Sequence, residues 1–332
     1  MTALAGESPD RRDVTGFILA AGRGTRLAPV TERLPKPLIP FFDVPLVNMA
    51  VDHLLGAGIR HIVVNVWHHG ERLVRHLEQM RNTLPAGVHL DISLEPELLG
   101  TGGGLAYGRR FYDGRPVLVV NSDVFFHEDL SGFLKRHSES GRKASILLES
   151  GKRHPMLRTT RLTPEGLLDR IEPAAIRGSD FGIFTGIYVL EPDVYRLLPE
   201  APCSVVTAGL RKAQAGGVPV GGELVAFPWD DLGTWKGYWT ASMQVLGQWA
   251  GSCPDARARW LALRIPGVFD RGVYRGPGAF ISPSSQVHRA VLGADSGVSP
   301  GAVVEGAVVL PGVHVADTLV DSVAGPGFRA NE

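Results

Sequence analysis

Cysteine is almost missing from this chain. Cys203 and Cys253 are the only two, too few and too far apart for a disulfide framework or a zinc site, which points to a reducing, cytoplasmic setting. Net charge is missing too: Lys and Arg together number 34, Asp and Glu together 34, and the isoelectric point lies near 7.2. With no basic stripe, a nucleic acid is excluded as partner, and any nucleotide bound should be a small molecule. Long apolar runs are lacking as well. The longest are strand-sized and residues 1–13 are polar, so neither a membrane span nor a signal peptide is expected, and 1–13 read as a disordered tail.

Glycine, by contrast, is plentiful at 41 of 332 residues, and it clusters. A short apolar strand, Val14 to Leu19, runs into Ala20-Ala21-Gly22-Arg23-Gly24-Thr25-Arg26-Leu27, followed by Pro29, Thr31 and Leu34-Pro35-Lys36-Pro37-Leu38-Ile39-Pro40. Glycines there let backbone N–H groups approach a ligand closely, while Arg26 and Lys36 add a bidentate guanidinium and a point charge, a combination suited to a polyphosphate. Two familiar loops do not fit. A P-loop needs Lys after its last glycine, and a dinucleotide fingerprint needs a third glycine where Leu27 stands.

Beyond the loop, apolar spacing predicts a helix from Leu46 to Leu55, a strand at His61–Val66, a helix from Glu71 to Met80 and a strand at Val88–Leu94. The β-α-β-α-β order implies a parallel sheet with helices on both faces. His61, His68, His69 and His76 lack metal-ligand spacing and read as ordinary surface or packed histidines. Leu98-Leu99-Gly100-Thr101-Gly102-Gly103-Gly104 precedes a short helix, and its glycines, poor helix formers, read as backbone lying flat against a ligand. The buried strand Pro116–Val120 ends in Asn121-Ser122-Asp123, so Asp123 stands at the carboxyl end of a central strand, where an acid can hold magnesium against phosphate oxygens. Shorter strands follow at Ala144–Glu149, Arg158–Leu162, Leu167–Ile171 and Ile183–Leu190.

The strings Leu19 to Leu27, Pro29-Val30-Thr31 and Pro35 to Pro40 together resemble the signature of the sugar-1-phosphate nucleotidyltransferases, the sugar-nucleotide pyrophosphorylases. The resemblance implies a Rossmann-like mixed, mainly parallel sheet and transfer of a nucleoside monophosphate from an NTP to a sugar 1-phosphate, with release of pyrophosphate. It implies catalytic roles for Arg26 and Lys36, and a nucleotide pocket of Leu19, Ala20, Ala21, Gly22, Gly24, Thr25, Gly100, Thr101, Gly102 and Gly103. Either Glu95 or Glu97 could contribute to that pocket. Trp229-Asp230-Asp231-Leu232-Gly233-Thr234 resembles the family's W-x-D-x-G-T, which makes Asp231 the second Mg2+ ligand beside Asp123; Asp230 reads as a solvated neighbour whose change to Asn should be mild.

Phe184-Thr185-Gly186-Ile187-Tyr188 resembles the family's sugar-binding strand, with Glu172 and Gly186 as sugar-phosphate contacts. Many relatives carry E-K-P just upstream, whereas this chain reads Ile171-Glu172-Pro173, so the phosphate-binding lysine is missing; Lys152, Arg153 or Arg177 are candidates to replace it. A helix from Thr234 to about Trp249 closes a catalytic domain spanning 14–249, and 250–272 reads as a connector. From 273 to 325 an apolar residue recurs about every six positions, at Ile281, Val287, Leu292, Val298, Val304, Leu310, Val315 and Val320. That period fits one face of a parallel β-helix, and the stretch resembles the left-handed hexapeptide β-helix of many nucleotidyltransferases. About two and a half coils fit, so the tail should pack on its own catalytic domain or on a second subunit, in a homo-oligomer. A cut after Trp249 is nonetheless expected to spare the nucleotide site.

The sequence thus reads as an NTP- and sugar-1-phosphate-using enzyme of the guanosine and mannose kind or the uridine and amino-sugar kind. A catalytically silent, sugar-nucleotide-binding regulator is the alternative, and an acyltransferase using His288 or His314 a third reading.

Overall fold

The computed structural model describes residues 14–150, 159–172, 181–251 and 253–331. The expected tail, Lys152, Arg153 and Arg177 lie outside them. The chain divides into two compact units: one holds the described residues up to Gly22, Ala50–Ser122 and Glu128–Phe227, the other Arg23–Met49, Asp123–His127 and everything from Pro228 onward.

The first unit is built on one mixed sheet. Its parallel part runs His89–Leu94, His61–Val66, Thr15–Leu19, Val117–Asn121, with Thr15–Leu19 in the middle, Leu19 opposite Asn121. Phe181–Leu190 then pairs antiparallel with Val117–Asn121 and carries the shorter strands Ala144–Glu149, Thr159–Leu162 and, beyond the last, Leu168–Glu172. The near-continuous apolar strands reflect burial on both faces: Phe17, Ile18, Val63, Val64, Val119 and Val120 are fully enclosed. The expected helices form as Leu46–Gly56 and Gly70–Arg81.

One expectation fails here. Gly100–Gly104 do not precede a helix; they are its first half, in Gly100–Gly108. Intrinsic propensity is overridden by packing, because side chains on these residues would collide with protein. A Cβ on Gly100 would stand 2.8 Å from the carbonyl oxygen of Cys203, one on Gly102 would stand 2.7 Å from Cys203 Sγ, and one on Gly104 would stand 2.6 Å from Asn65 Nδ2. The helix lies backbone-close to the segment after Pro202, with Gly102 N–H donating to Cys203 O at 2.9 Å and Val205 N–H to Thr101 Oγ1 at 3.0 Å.

The second unit contains a ribbon of Val124–Phe126 and Trp229–Asp231, the helix Trp235–Ala250 capped by Thr234, and the C-terminal strands. These strands form parallel sheets in which Ile281 pairs with Val298 and Val298 with Val315, while Val287 pairs with Val304 and Val304 with Leu319. Three faces repeated in this way are the arrangement of a β-helix. The coils step by 17 residues and then, on two of the three faces, by 15, from Val304 to Leu319 and from Val308 to Val323. That shortening moves Leu319 inside and leaves Val320 46% exposed, so the six-residue period breaks at its last member. The stretch expected as a connector folds into a helix, Ala256–Ala262, and a strand, Val268–Asp270.

The β-helix shares a core with the signature segment. Phe41, Phe42, Leu27, Ile39, Phe125, Leu232, Trp235 and Tyr238 form one buried cluster with Tyr274, Val291, Val308, Leu310 and Val323. Phe42 stacks edge-on to Tyr274 at 5.2 Å and Phe41 to Tyr238 at 5.4 Å, and Trp239 Nε1 donates to Gly306 O at 2.6 Å.

Candidate active site

Proline and burial aim Lys36. In Pro35-Lys36-Pro37-Leu38-Ile39, Pro35, Pro37 and Ile39 are buried, and the fixed φ of each proline removes freedom from the residues between. The Lys36 ammonium, 13% exposed, is ion-paired to Asp123 Oδ2. Gly24 takes a left-handed φ of 66°, and a Cβ there would stand 2.9 Å from the Thr31 methyl and 3.0 Å from Lys36 Cβ. Only glycine permits both the turn and that approach. Thr31 Oγ1 then donates to Gly24 O at 3.0 Å.

Asp231 is placed by its ribbon and by the turn that follows. Leu232 N–H donates to Asp123 O at 2.8 Å, Gly233 N–H donates to Asp231 Oδ1 at 2.7 Å, and Trp235 Nε1 donates to Ala28 O at 3.0 Å. Arg26 Nη1 approaches Asp231 Oδ2 at 3.6 Å, with Arg26 half exposed and Asp231 buried. A Cβ on Gly233 would stand 2.6 Å from Asp231 Oδ1 and 2.8 Å from both Asp123 Oδ2 and Arg26 Nη2. Four charged side chains from three chain segments therefore converge beside a residue that must be glycine.

Their electrostatics differ. Burial alone would raise the Asp123 carboxyl, but the Lys36 charge, its hydrogen bond and Arg26 outweigh it and hold the group below its ordinary value. Burial, and next the Asp123 charge, push Asp231 up against the pull of Lys36, the Gly233 N–H and Arg26. Two hard carboxylates, one of them opposed by the other's charge, are a donor set that a divalent cation completed by substrate phosphate oxygens would fit. Among the described residues no group of three or more His, Cys, Asp or Glu is disposed to hold a metal.

The remaining predicted residues lie in the first unit, apart from Gly24 and Thr25. Ala20 and Ala21 are buried, and a Cβ on Gly22 would meet nothing within 4 Å, so that glycine faces open space. Leu19 ends its strand, and Thr25 is exposed. Sequence reasoning missed Asn65, whose Oδ1 accepts Ala20 N–H at 2.6 Å while its Nδ2 donates to Glu95 Oε1 at 2.6 Å; Glu95 Oε2 in turn accepts Leu99 N–H at 3.1 Å. A buried polar chain thus ties the signature loop to the start of the glycine helix. It also separates the two glutamates: Glu95 is 3% exposed and Glu97 lies at the surface. Burial raises the Glu95 carboxyl, against its bonds from Asn65 and Leu99.

Gly186 has a φ of 79° at an irregularity in the strand pairing, and a Cβ there would stand 2.6 Å from Asn121 Cγ. The space its side chain would need is filled by Asn121. Glu172 ends its strand opposite Thr159.

A family model described as nucleotidyl transferase matches residues 15–248. The chain is 33% identical over 195 residues to a mannose-1-phosphate guanyltransferase of Pichia angusta, covering 57% of this chain and 53% of that protein. It is 30% identical over 244 residues to the mannose-1-phosphate guanylyltransferase catalytic subunit beta of Danio rerio, covering 72% and 66%. The match spans about half the length of most such curated relatives. In fold it is similar to HddC from Yersinia pseudotuberculosis complexed with GMP-PN, with a TM-score of 0.58 and 20% identity over 68% of this chain and 97% of that one.

Proposed function

The chain belongs to the nucleotidyl transferase family, and on that premise we propose that it transfers a nucleoside monophosphate from an NTP to a sugar 1-phosphate. GTP with mannose 1-phosphate is the first pair to test, because the relatives above carry that activity in their names; UTP with an amino-sugar 1-phosphate is the second. The convergence of Arg26, Lys36, Asp123 and Asp231 beside Gly233 carries the reading. It also favours catalysis over a silent regulator, which has no need of matched charges. His288 and His314 are exposed and lie apart from this cluster in the chain, which leaves the acyltransferase reading without support.

An oxygen of the sugar 1-phosphate forms the new bond to the α-phosphorus of the NTP, the bond from that phosphorus to the bridging oxygen breaks, and pyrophosphate leaves. The attacking oxygen is already an anion, so no protein nucleophile is needed; the chain supplies position and charge. Asp123 and Asp231 would hold Mg2+, which neutralises phosphate charge when bound. Lys36, released from Asp123, and Arg26, released from Asp231, would turn to the triphosphate and the departing pyrophosphate. Gly22 would let the backbone meet the nucleotide, joined by Leu19, Ala20, Ala21, Gly24, Thr25 and the Gly100–Gly103 segment; Glu172 and Gly186 would face the sugar phosphate. Residues 14–249 form the proposed catalytic domain and 273–325 the β-helix, through which a homo-oligomer is proposed. No helix among the described residues is long and apolar enough to cross a membrane.

Following pyrophosphate release with each NTP against a panel of sugar 1-phosphates tests the assignment. Turnover with GTP and mannose 1-phosphate is the expected result; binding of sugar nucleotides without turnover for any pair would establish the regulatory alternative.

A further inference from the structure

Arg257 belongs to the stretch that read as a connector, yet its side chain is among the most deeply buried in the molecule, at 2% exposure. It is held there deliberately. Asp255 caps its helix by accepting Ala258 N–H at 2.8 Å, and Gln248 exchanges two 2.9 Å hydrogen bonds with Asp255, so the helix is fastened to Trp235–Ala250. Trp249 Nε1 adds a bond to Ala258 O at 3.0 Å. From this mount the guanidinium is ion-paired to Asp230, approaches Gln244 Oε1 at 3.4 Å and lies 4.6 Å from the centre of the Phe125 ring. Its Nε is buried with no hydrogen-bond partner.

A buried, incompletely satisfied arginine is a poor device for stability, since a well-packed apolar pair of similar volume serves as well or better. Its two main contacts suggest another use. Asp230 and Phe125 are directly opposite each other in the antiparallel ribbon, as Asp231 and Val124 are in the next pair. Successive side chains of a strand point to opposite faces. Arg257 therefore grips the back of the ribbon through one residue of each strand. Asp231, next to Asp230, points to the front; Asp123 immediately precedes the strand Val124–Phe126, and its carboxylate meets that of Asp231 beside Gly233, where a Cβ would stand 2.6 Å from Asp231 Oδ1 and 2.8 Å from Asp123 Oδ2.

We propose that Arg257 is a positioning residue: by clamping Asp230 to Phe125 it sets the separation of Asp123 and Asp231 and so tunes the affinity of that pair for a divalent cation. The inference rests on the reading of the two aspartates as cation ligands. It also reverses the expectation for Asp230, whose loss should resemble the loss of Arg257 and not pass as a mild surface change.

The test uses the full-length protein and Mn2+, with free ion read by electron paramagnetic resonance in the presence of GTP or UTP and no sugar 1-phosphate. Arg257→Met and Asp230→Asn should each weaken Mn2+ binding by about tenfold or more, the scale for removing a group that orients a metal ligand. Arg257→Lys should restore little of it, because an ammonium neither forks nor stacks on the ring. In turnover assays the half-activating cation concentration should rise while the KM for sugar 1-phosphate stays put. Arg259→Gln, an exposed neighbour on the same helix, should leave Mn2+ binding unchanged. If Arg257→Met does not fold, the double substitution Asp230→Leu with Arg257→Met removes the clamp without stranding a buried charge and should show the same weakened binding. Any folded clamp variant with wild-type Mn2+ affinity overturns the proposal and leaves the aspartate reading intact. A wild-type protein that takes up no Mn2+ beside the NTP overturns both.

Discussion

The two units assemble their candidate residues by opposite means. In the first, the signature loop is held by a chain of hydrogen bonds with a single acid in it, with Ala20 N–H on Asn65, Asn65 on Glu95, and Leu99 N–H closing the chain. In the second, two basic and two acidic side chains face one another around Gly233, with Lys36, Asp123 and Asp231 all largely shielded from water. A hydrogen-bonded network tied at each link fixes shape, while an enclosed set of opposed charges stores a demand for a charged ligand. Changes in the first unit should therefore alter which nucleotide fits, and changes in the second should alter whether phosphate chemistry proceeds.

The largest effects are expected from the two acids. Asp123→Asn and Asp231→Asn should each reduce turnover by about a thousandfold or more, because each removes one of the two carboxylates of the proposed cation site. They should part company in thermal melting. Asp123→Asn strands the shielded Lys36 ammonium and should cost about 3 kcal/mol or more, whereas Asp231→Asn removes a carboxylate that burial and Asp123 already oppose and keeps an acceptor for Gly233 N–H. Equal destabilisation by both would erase the asymmetry.

Next comes removal of the tail. A chain ending at Trp249 keeps every proposed ligand, and the sequence alone suggests that its site survives. The shared core argues otherwise: the cut strips Tyr274, Val291, Val308, Leu310 and Val323 from the cluster that supports Phe41, Phe125, Leu232 and Trp235. Buried leucine-sized side chains are worth roughly 1.5–3 kcal/mol each, so the charged unit should lose both its cooperative melting and its activity. A truncated protein that still releases pyrophosphate would show the charge cluster to be independent of the β-helix.

Smaller, and diagnostic of the contrast itself, are Arg26→Ala and Asn65→Ala. Arg26→Ala should lower kcat/KM by about a hundred- to a thousandfold, as deletion of one preorganised donor at developing charge does. Asn65→Ala should raise the KM for NTP with kcat nearly unchanged, and cost about 1–3 kcal/mol by leaving Glu95 and Ala20 N–H short of a partner. Should Asn65→Ala reduce kcat as severely as Arg26→Ala, the division between shape and charge fails.

What could be read from the sequence follows the same division. Leu19 to Leu27, Pro35 to Pro40 and Trp229 to Thr234 are strings whose residue types are set by close local approach, as at Gly24 against Thr31 and Lys36 and at Gly233 against Asp231, so the pattern shows in the letters. The parallel strands showed through their apolar runs for the same local reason. Arg257 could not be found this way: its partners Asp230 and Phe125 are far off in sequence, and its own helix is short and flanked by proline and glycine. Gly100 to Gly104 misled because helix propensity is a local quantity, whereas the reason for those glycines is the approach of Cys203 and of Asn65 and Glu95. Val320 misled because one coil is two residues shorter than the last.

The smallest effect is expected where the β-helix meets the hairpin after the signature. Asp43 has a left-handed φ of 63°, and its carboxylate accepts Ala294 N–H at 2.8 Å and the Tyr274 hydroxyl at 2.9 Å. Burial raises the carboxyl above its ordinary value of 3.8, and Asp295 raises it further, against the pull of those two bonds. Below pH 3.8 the group is protonated whether the chain is folded or not, and it imposes no penalty. As pH rises through the folded value, the folded protein must ionise a carboxyl that its surroundings disfavour, so stability falls, and the full penalty is present at neutral pH. Asp43→Asn retains the acceptor for Ala294, suits a left-handed turn better, and leaves Tyr274 free to donate to Phe42 O, 3.2 Å away. It should therefore stabilise the protein at pH 7, by on the order of 1 kcal/mol at most, with the gain shrinking as the pH of the melting series is lowered toward the ordinary carboxylate range. A gain that stayed constant with pH would place its origin in the turn and not in the buried charge, and a loss at pH 7 would mean that the Tyr274 hydroxyl needs the anion.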